Sequence, residues 1–194
     1  MLLRKTLVAL VAAALVLTSL PGCILDPKES VEEPKTPPVE WPDRTGKEDL
    51  VEIVKLVYRT EDMDKYAEAL LKPDTHDLFE QGYIWYNQNE DVVSGAVDVE
   101  FWGYTEEYTL TERLLNNVND ITLEIYPGSW TALETFREEP CEDCWDSLRD
   151  YKIDVETSDQ MHYIGEYKIR YVIGPDPENP GKYVIYQMED LRMN

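Results

Sequence analysis

Residues 151–173, YKIDVETSDQMHYIGEYKIRYVI, hold the pattern that decides the fold. Tyr151, Ile153 and Val155 alternate with Lys152, Asp154 and Glu156. After a break, Tyr163, Gly165, Tyr167, Ile169, Tyr171 and Ile173 alternate with His162, Ile164, Glu166, Lys168 and Arg170. A period of two sends successive side chains to opposite faces, so each run predicts a strand with one buried face and one wet face. Thr157 to Gln160 supplies the turn that makes them a hairpin. Upstream, Ile121, Leu123 and Ile125 alternate with Thr122 and Glu124. Downstream, the breaker-rich stretch from Gly174 to Gly181 leads to a last strand over Lys182 to Leu191. Tyr163, Tyr167 and Tyr171 fall on one parity, where side chains fill an interior and phenol oxygens seek a partner or a polar cavity.

Ahead of the strands the period changes to that of a helix. Thr45-Gly46-Lys47-Glu48 has the form of a capping box, and Leu50, Ile53, Val54, Val57 and Tyr58 follow at helical spacing to about Thr60. A second, short helix carries Met63, Tyr66, Ala67, Leu70 and Leu71 and stops before Pro73, with Glu61, Asp62 and Asp64 at its positive end. Tyr83 to Tyr86 reads as a strand and Asp91 to Glu100 is ambiguous. Thr105 to Asn116 reads as a third helix using Tyr108, Leu114 and Leu115. Helices first and antiparallel strands later is an α+β order: about three N-terminal helices packed on one face of a strongly curved antiparallel sheet.

Several motifs carry a family likeness. Asp62, Tyr66, Leu70 and Leu71 form D-x-x-x-Y-x-x-x-L-L. Trp102 to Glu107 resembles a W-x-x-x-E entry into a third helix, and Tyr183 to Asp190 resembles a closing strand. With the element order, these resemble the nuclear transport factor 2-like superfamily, a cystatin-like cone that includes SnoaL-like and ketosteroid-isomerase-like enzymes. More narrowly, residues 46–194 are similar to bacterial lipoproteins of that fold. The resemblance implies a cone interior in which enzymes place an Asp, Tyr or His, and it implies a possible homodimer through the sheet.

The 194 residues carry 18 Lys+Arg against 40 Asp+Glu, a formal charge of −22. Clustered cations are what bind phosphate backbones, so no nucleic-acid partner is expected, and a basic membrane-surface helix is disfavoured for the same reason. Residues 1–22 read as a leader: Arg4 and Lys5, then an apolar run from Leu7 to Leu20 that is short for a bilayer span. Leu20-Pro21-Gly22-Cys23 resembles the lipobox of bacterial lipoproteins, which implies cleavage before Cys23 and acylation of its thiol. Loss of the two basic residues of the leader takes the charge to −24. Several acyl chains hold a protein on a bilayer stably, since each buried methylene contributes about 0.8 kcal/mol. The expected placement is the bacterial cell envelope with the domain facing away from the cytoplasm. In a double-membrane cell, Ile24 after the acylated Cys implies the outer membrane by the same resemblance. Residues 23–45, with Pro27, Pro34, Pro37, Pro38 and Pro42, read as an acidic, extended tether.

Chemistry-bearing residues are few. Of the two histidines, His162 falls on the polar parity of its strand, and His76 follows the second helix, where the mouth of a cone lies. Candidate pocket residues are Tyr66, His76, Tyr163, Tyr167 and Asp190, though alternation leaves open whether Asp190 meets the pocket or its rim. Cys141 and Cys144 enclose Glu142 and Asp143. In an exported chain a structural disulfide is the foremost reading, with a redox dithiol, a zinc half-site and free thiols as alternatives. No second Cys pair and no calcium loop accompanies them, so no metal or cofactor is expected. The expected role is a membrane-anchored, non-catalytic binding or scaffold domain for a small molecule or an envelope protein. A small pocket isomerase or hydrolase and a structural envelope protein are the alternatives.

Overall fold

The computed structural model describes residues 38–87, 101–158 and 160–191. The chain divides into two units, Met1–Val39 and Glu40–Asn194, and the elements below belong to the second. The leader, Cys23, most of the tether and the stretch from Asp91 to Glu100 lie outside the described residues.

Among the described residues three helices and seven strands follow in this order: α1 (Lys47–Thr60), α2 (Met63–Ala69), β1 (Ile84–Tyr86), β2 (Phe101–Gly103), α3 (Tyr104–Asn117), β3 (Val118–Ile125), β4 (Thr131–Phe136), β5 (Glu139–Thr157), β6 (His162–Pro175) and β7 (Tyr183–Leu191). The strands form one sheet in the order β2-β1-β7-β6-β5-β3, with β4 also paired to β5. One expectation needs correcting. The sheet is mixed, because β1 runs parallel to β7, from Ile84 opposite Gln187 to Tyr86 opposite Glu189. Leu70, just past α2, bridges Ile185 in parallel, and the Leu71 amide donates to the Ile185 carbonyl at 2.9 Å. The chain thus enters the sheet straight from α2. Gly82 turns it back with φ +71; a Cβ there would lie 2.7 Å from the Pro73 nitrogen, so only glycine fits this close approach.

The start of α1 differs from the capping box read at Thr45. Gly46 is the N-cap, and its amide donates to the Asp49 carboxylate at 2.8 Å, while Thr45 is exposed. Glu48, read as the partner in the box, reaches Arg149 instead, at 2.9 and 2.7 Å. Asp49→Ala is therefore expected to cost about 1 kcal/mol in chemical denaturation, and Thr45→Ala to stay within about 0.5 kcal/mol of the parent. The opposite ranking would restore the cap to Thr45.

The helical layer buries Leu50, Ile53, Val54 and Val57 of α1 with Tyr66, Leu70 and Leu71 around α2 against Ile169, Tyr171, Ile173 and Ile185 of the sheet. Residues read as tether also join this unit. Trp41 packs on the core, and buried Arg44 donates to Asp176 at 2.8 Å and to the Glu68 carbonyl at 2.7 Å. The folded unit thus begins before residue 46. Five consecutive residues, Val184 to Met188, are buried, as in a strand covered on both faces. One cover is an aromatic group in which Tyr186 meets Phe79 at 5.4 Å and Phe136 at 5.8 Å between ring centres.

An aromatic cavity inside the cone

Between the helical layer and the sheet lies a cavity of about 60 Å³. Val54 and Tyr58 of α1, Tyr66 of α2 and Trp85 of β1 wall it on one side. Leu123, Ile125, Tyr151, Ile153, Ile169, Tyr171 and Met188 wall it from the sheet. Each sheet residue arrives by alternation along its strand, which is why the hairpin at 151–173 positions this site. Tyr171 is fully buried, and its hydroxyl has no hydrogen-bond partner among the described residues; the same holds for Tyr83.

Behind Tyr66 lies a group that apolar periodicity did not find. Glu107 of α3 is 4% exposed. Its carboxylate accepts from the Tyr66 hydroxyl, from the Trp102 indole at 2.6 Å and from the Thr111 hydroxyl at 3.0 Å. Burial raises its pKa, while the three donors pull it back, and no cationic side chain of the described residues offsets the charge. Burial first, then Glu107, pushes the Tyr58, Tyr66 and Tyr83 phenols well above their ordinary range, so all three stay protonated at neutral pH. At another wall the Tyr151 hydroxyl donates to Asp190 at 3.1 Å. Two of the phenols lining the cavity thus point their protons at carboxylates.

The sequence carried a partial signal for this group. The W-x-x-x-E reading places an acid at Glu106, whereas the indole meets Glu107, one residue further on. The buried stripe of α3 is Glu107, Thr111 and Leu115, spaced i, i+4, i+8, and two of its three members are polar.

The candidate residues separate. Tyr66 lines the cavity, and Asp190 touches it through Tyr151. Tyr163, expected on the inward face, is a correction: it is 53% exposed, because the hairpin of β5 and β6 runs past the helices that would cover it. Tyr167 also fails to line the cavity. Its ring leans over Gly165, where a Cβ would stand 2.1 Å away, and tilts against Tyr151 at 5.5 Å. His76 lies elsewhere, against Phe79 at 4.5 Å, and burial lowers its pKa. His162 is exposed near Asp154 and Glu156. Cys141 and Cys144 are joined as a disulfide within β5 with Cα atoms 5.6 Å apart, and neither lines the cavity. Among the described residues no group of three His, Cys, Asp or Glu is arranged to hold a metal ion.

No family model matches the sequence, and no curated protein matches it. Solved structures do. A nuclear transport factor 2-like superfamily protein from Salmonella enterica serovar Typhimurium is similar at 7% identity and TM-score 0.53, over 75% of this chain and 87% of that one. A candidate dehydratase of the same family from Streptomyces avermitilis is similar at 8% identity and TM-score 0.56, over 75% and 91%. The hexachlorocyclohexane dehydrochlorinase LinA-type3 from Novosphingobium barchaimii is similar at 7% identity and TM-score 0.51, over 76% and 84%. Identity this low speaks to architecture alone. The helices, the sheet they cover and the cavity between them give this chain the nuclear transport factor 2-like fold.

Proposed function

We propose that this protein is a lipid-tethered binding module of the bacterial cell envelope, whose cone interior receives a small organic molecule. The observation that carries the binding reading is the cavity itself: an apolar chamber walled in part by the buried Tyr171, whose hydroxyl has no hydrogen-bond partner among the described residues. A largely apolar cavity with a few placed polar groups is the usual form of a ligand site. Among the described residues that line it there are phenols and an indole but no carboxylate or imidazole. That chemistry suits recognition better than proton transfer, because burial raises the pKa of these phenols and holds them protonated at neutral pH.

The tethering half of the proposal rests on the lipobox-like segment before Cys23 and on the proline-rich, acidic stretch after it. Two measurements test the whole. Cys23→Ser is expected to move nearly all of the protein from the membrane fraction to the soluble fraction, and unchanged fractionation would reject the anchor. Native mass spectrometry of protein extracted from membranes is expected to show acyl additions and a non-covalent small molecule. An acylated chain carrying nothing would reject the binding role.

A second reading, a small pocket enzyme, is favoured by the Tyr66–Glu107 pair, since Tyr66 lines the cavity and its proton is directed to a buried carboxylate. It would require Glu107 to exchange one of its three donors for a substrate proton. Turnover abolished by Glu107→Gln with the fold retained would establish it.

A further inference from the structure

The geometry points to a small organic cation, an alkylated ammonium group, as the class of molecule that the cone accepts. This deepens the binding reading and rests on it. Trp85, Tyr58, Tyr66, Tyr151 and Tyr171 bring five aromatic rings to one chamber, and Met188 adds a polarizable thioether. Aromatic faces attract a cation through their quadrupole, most strongly where water is excluded, and methyl groups on the nitrogen fit the same apolar walls.

The side chains that line the chamber carry no formal charge, and the buried cation whose field reaches Tyr171, Arg149, is held by Glu48. Tyr66 and Tyr151 point their protons at Glu107 and Asp190 and keep oxygen lone pairs on their other side. Tyr171 holds a hydroxyl with no hydrogen-bond partner among the described residues, so its lone pairs are uncommitted. No Lys, Arg or His is among the described lining residues, and none of the described cations offsets Glu107. An anion placed here would have two carboxylates, Glu107 and Asp190, behind the Tyr66 and Tyr151 phenols of its walls. A neutral hydrocarbon would leave the charge of Glu107 uncompensated in a medium that screens poorly. A cation resolves both.

The test sets choline against its uncharged isostere 3,3-dimethylbutan-1-ol, which has the same shape with carbon in place of nitrogen. Each is titrated into the purified full chain and followed by calorimetry and by saturation transfer to the methyl protons. Choline is expected to bind on the order of tenfold more tightly or better. The preference should shrink in Glu107→Gln, and again in Trp85→Leu, which removes one ring, stacked on Trp102, and keeps the carboxylate itself. Equal binding, or preference for the alcohol, would overturn the cation assignment and leave the cone as a binding site. Binding of neither would overturn the cation assignment as well, while the copurification measurement separately decides whether the cone holds anything. A preference for choline that both variants retain would place the cation somewhere other than the cone and overturn the inference.

Discussion

Replacing Glu107 by alanine is expected to destabilise the protein by about 3 kcal/mol or more, because it leaves three donors with nowhere to point. A buried donor stripped of its acceptor costs about 1–3 kcal/mol, and Glu107 serves Tyr66, Trp102 and Thr111 at once. Alanine also leaves a void in a packed layer. Against these runs a gain, since an uncompensated charge is no longer buried. The donors should win. Glu107→Gln separates the two effects: it keeps an oxygen for the indole, removes the charge, and should cost about 1 kcal/mol or nothing.

The pH dependence has a definite sign. Burial raises the pKa of folded Glu107 above the value of an unfolded carboxyl. A group raised in this way contributes stability that is fully present below its unfolded pKa and is lost as pH rises through the folded value. The parent should therefore lose stability relative to Glu107→Gln on passing from mild acid to neutral pH. Denaturation curves of the two proteins across that range check it, since the other carboxylates cancel in the difference. A Glu107→Ala protein within 1 kcal/mol of the parent would show that the carboxylate does not hold the three donors.

What the sequence made legible, and what it did not, divides along a physical line. The hairpin at 151–173, the final strand and the first two helices could be read because their inward residues are largely apolar, and the third from its half-buried Tyr108 and Leu114 and buried Leu115. Reading failed where a buried position is polar. In β5, Arg149 is 2% exposed and Ser147 is buried while Leu148 between them is half exposed, so the polarity of the alternation is inverted. The guanidinium can be buried because Glu48 grips it from 101 residues away and Trp130 lies 4.9 Å from it. That partner is invisible to any local window, and with it the whole of 131–150 escaped assignment as strand. Glu107 escaped for the same reason, its phenol partner being 41 residues distant. Strict parity fails once more at the irregularity between Val172 and Ile173, where consecutive residues are both buried. The fold was thus readable from its oily positions, while the site is built largely from the polar ones.

Tyr171→Phe should make the protein more stable, by about 1–3 kcal/mol, and a worse binder. Most buried hydroxyls are hydrogen-bonded, and one that is not costs the desolvation of its oxygen with no return. Phenylalanine keeps the ring and its contacts in the sheet and removes only that oxygen, so folding gains what the orphaned group cost. Tyr83→Phe should behave alike in stability, since its hydroxyl is also buried and unpartnered. Only Tyr171 lines the cavity, so only its replacement should weaken whatever copurifies with the cone. The pair therefore separates packing from recognition. Two stabilised variants, one of them deficient in binding, would mean that a polar atom is retained inside an apolar chamber at a cost to the fold, which selection tolerates where the atom meets a ligand. A Tyr171→Phe protein that melts lower than the parent would show that the hydroxyl is already satisfied in the free protein. The strongest physical reason for reading this cone as a receptor rather than a scaffold would then be gone.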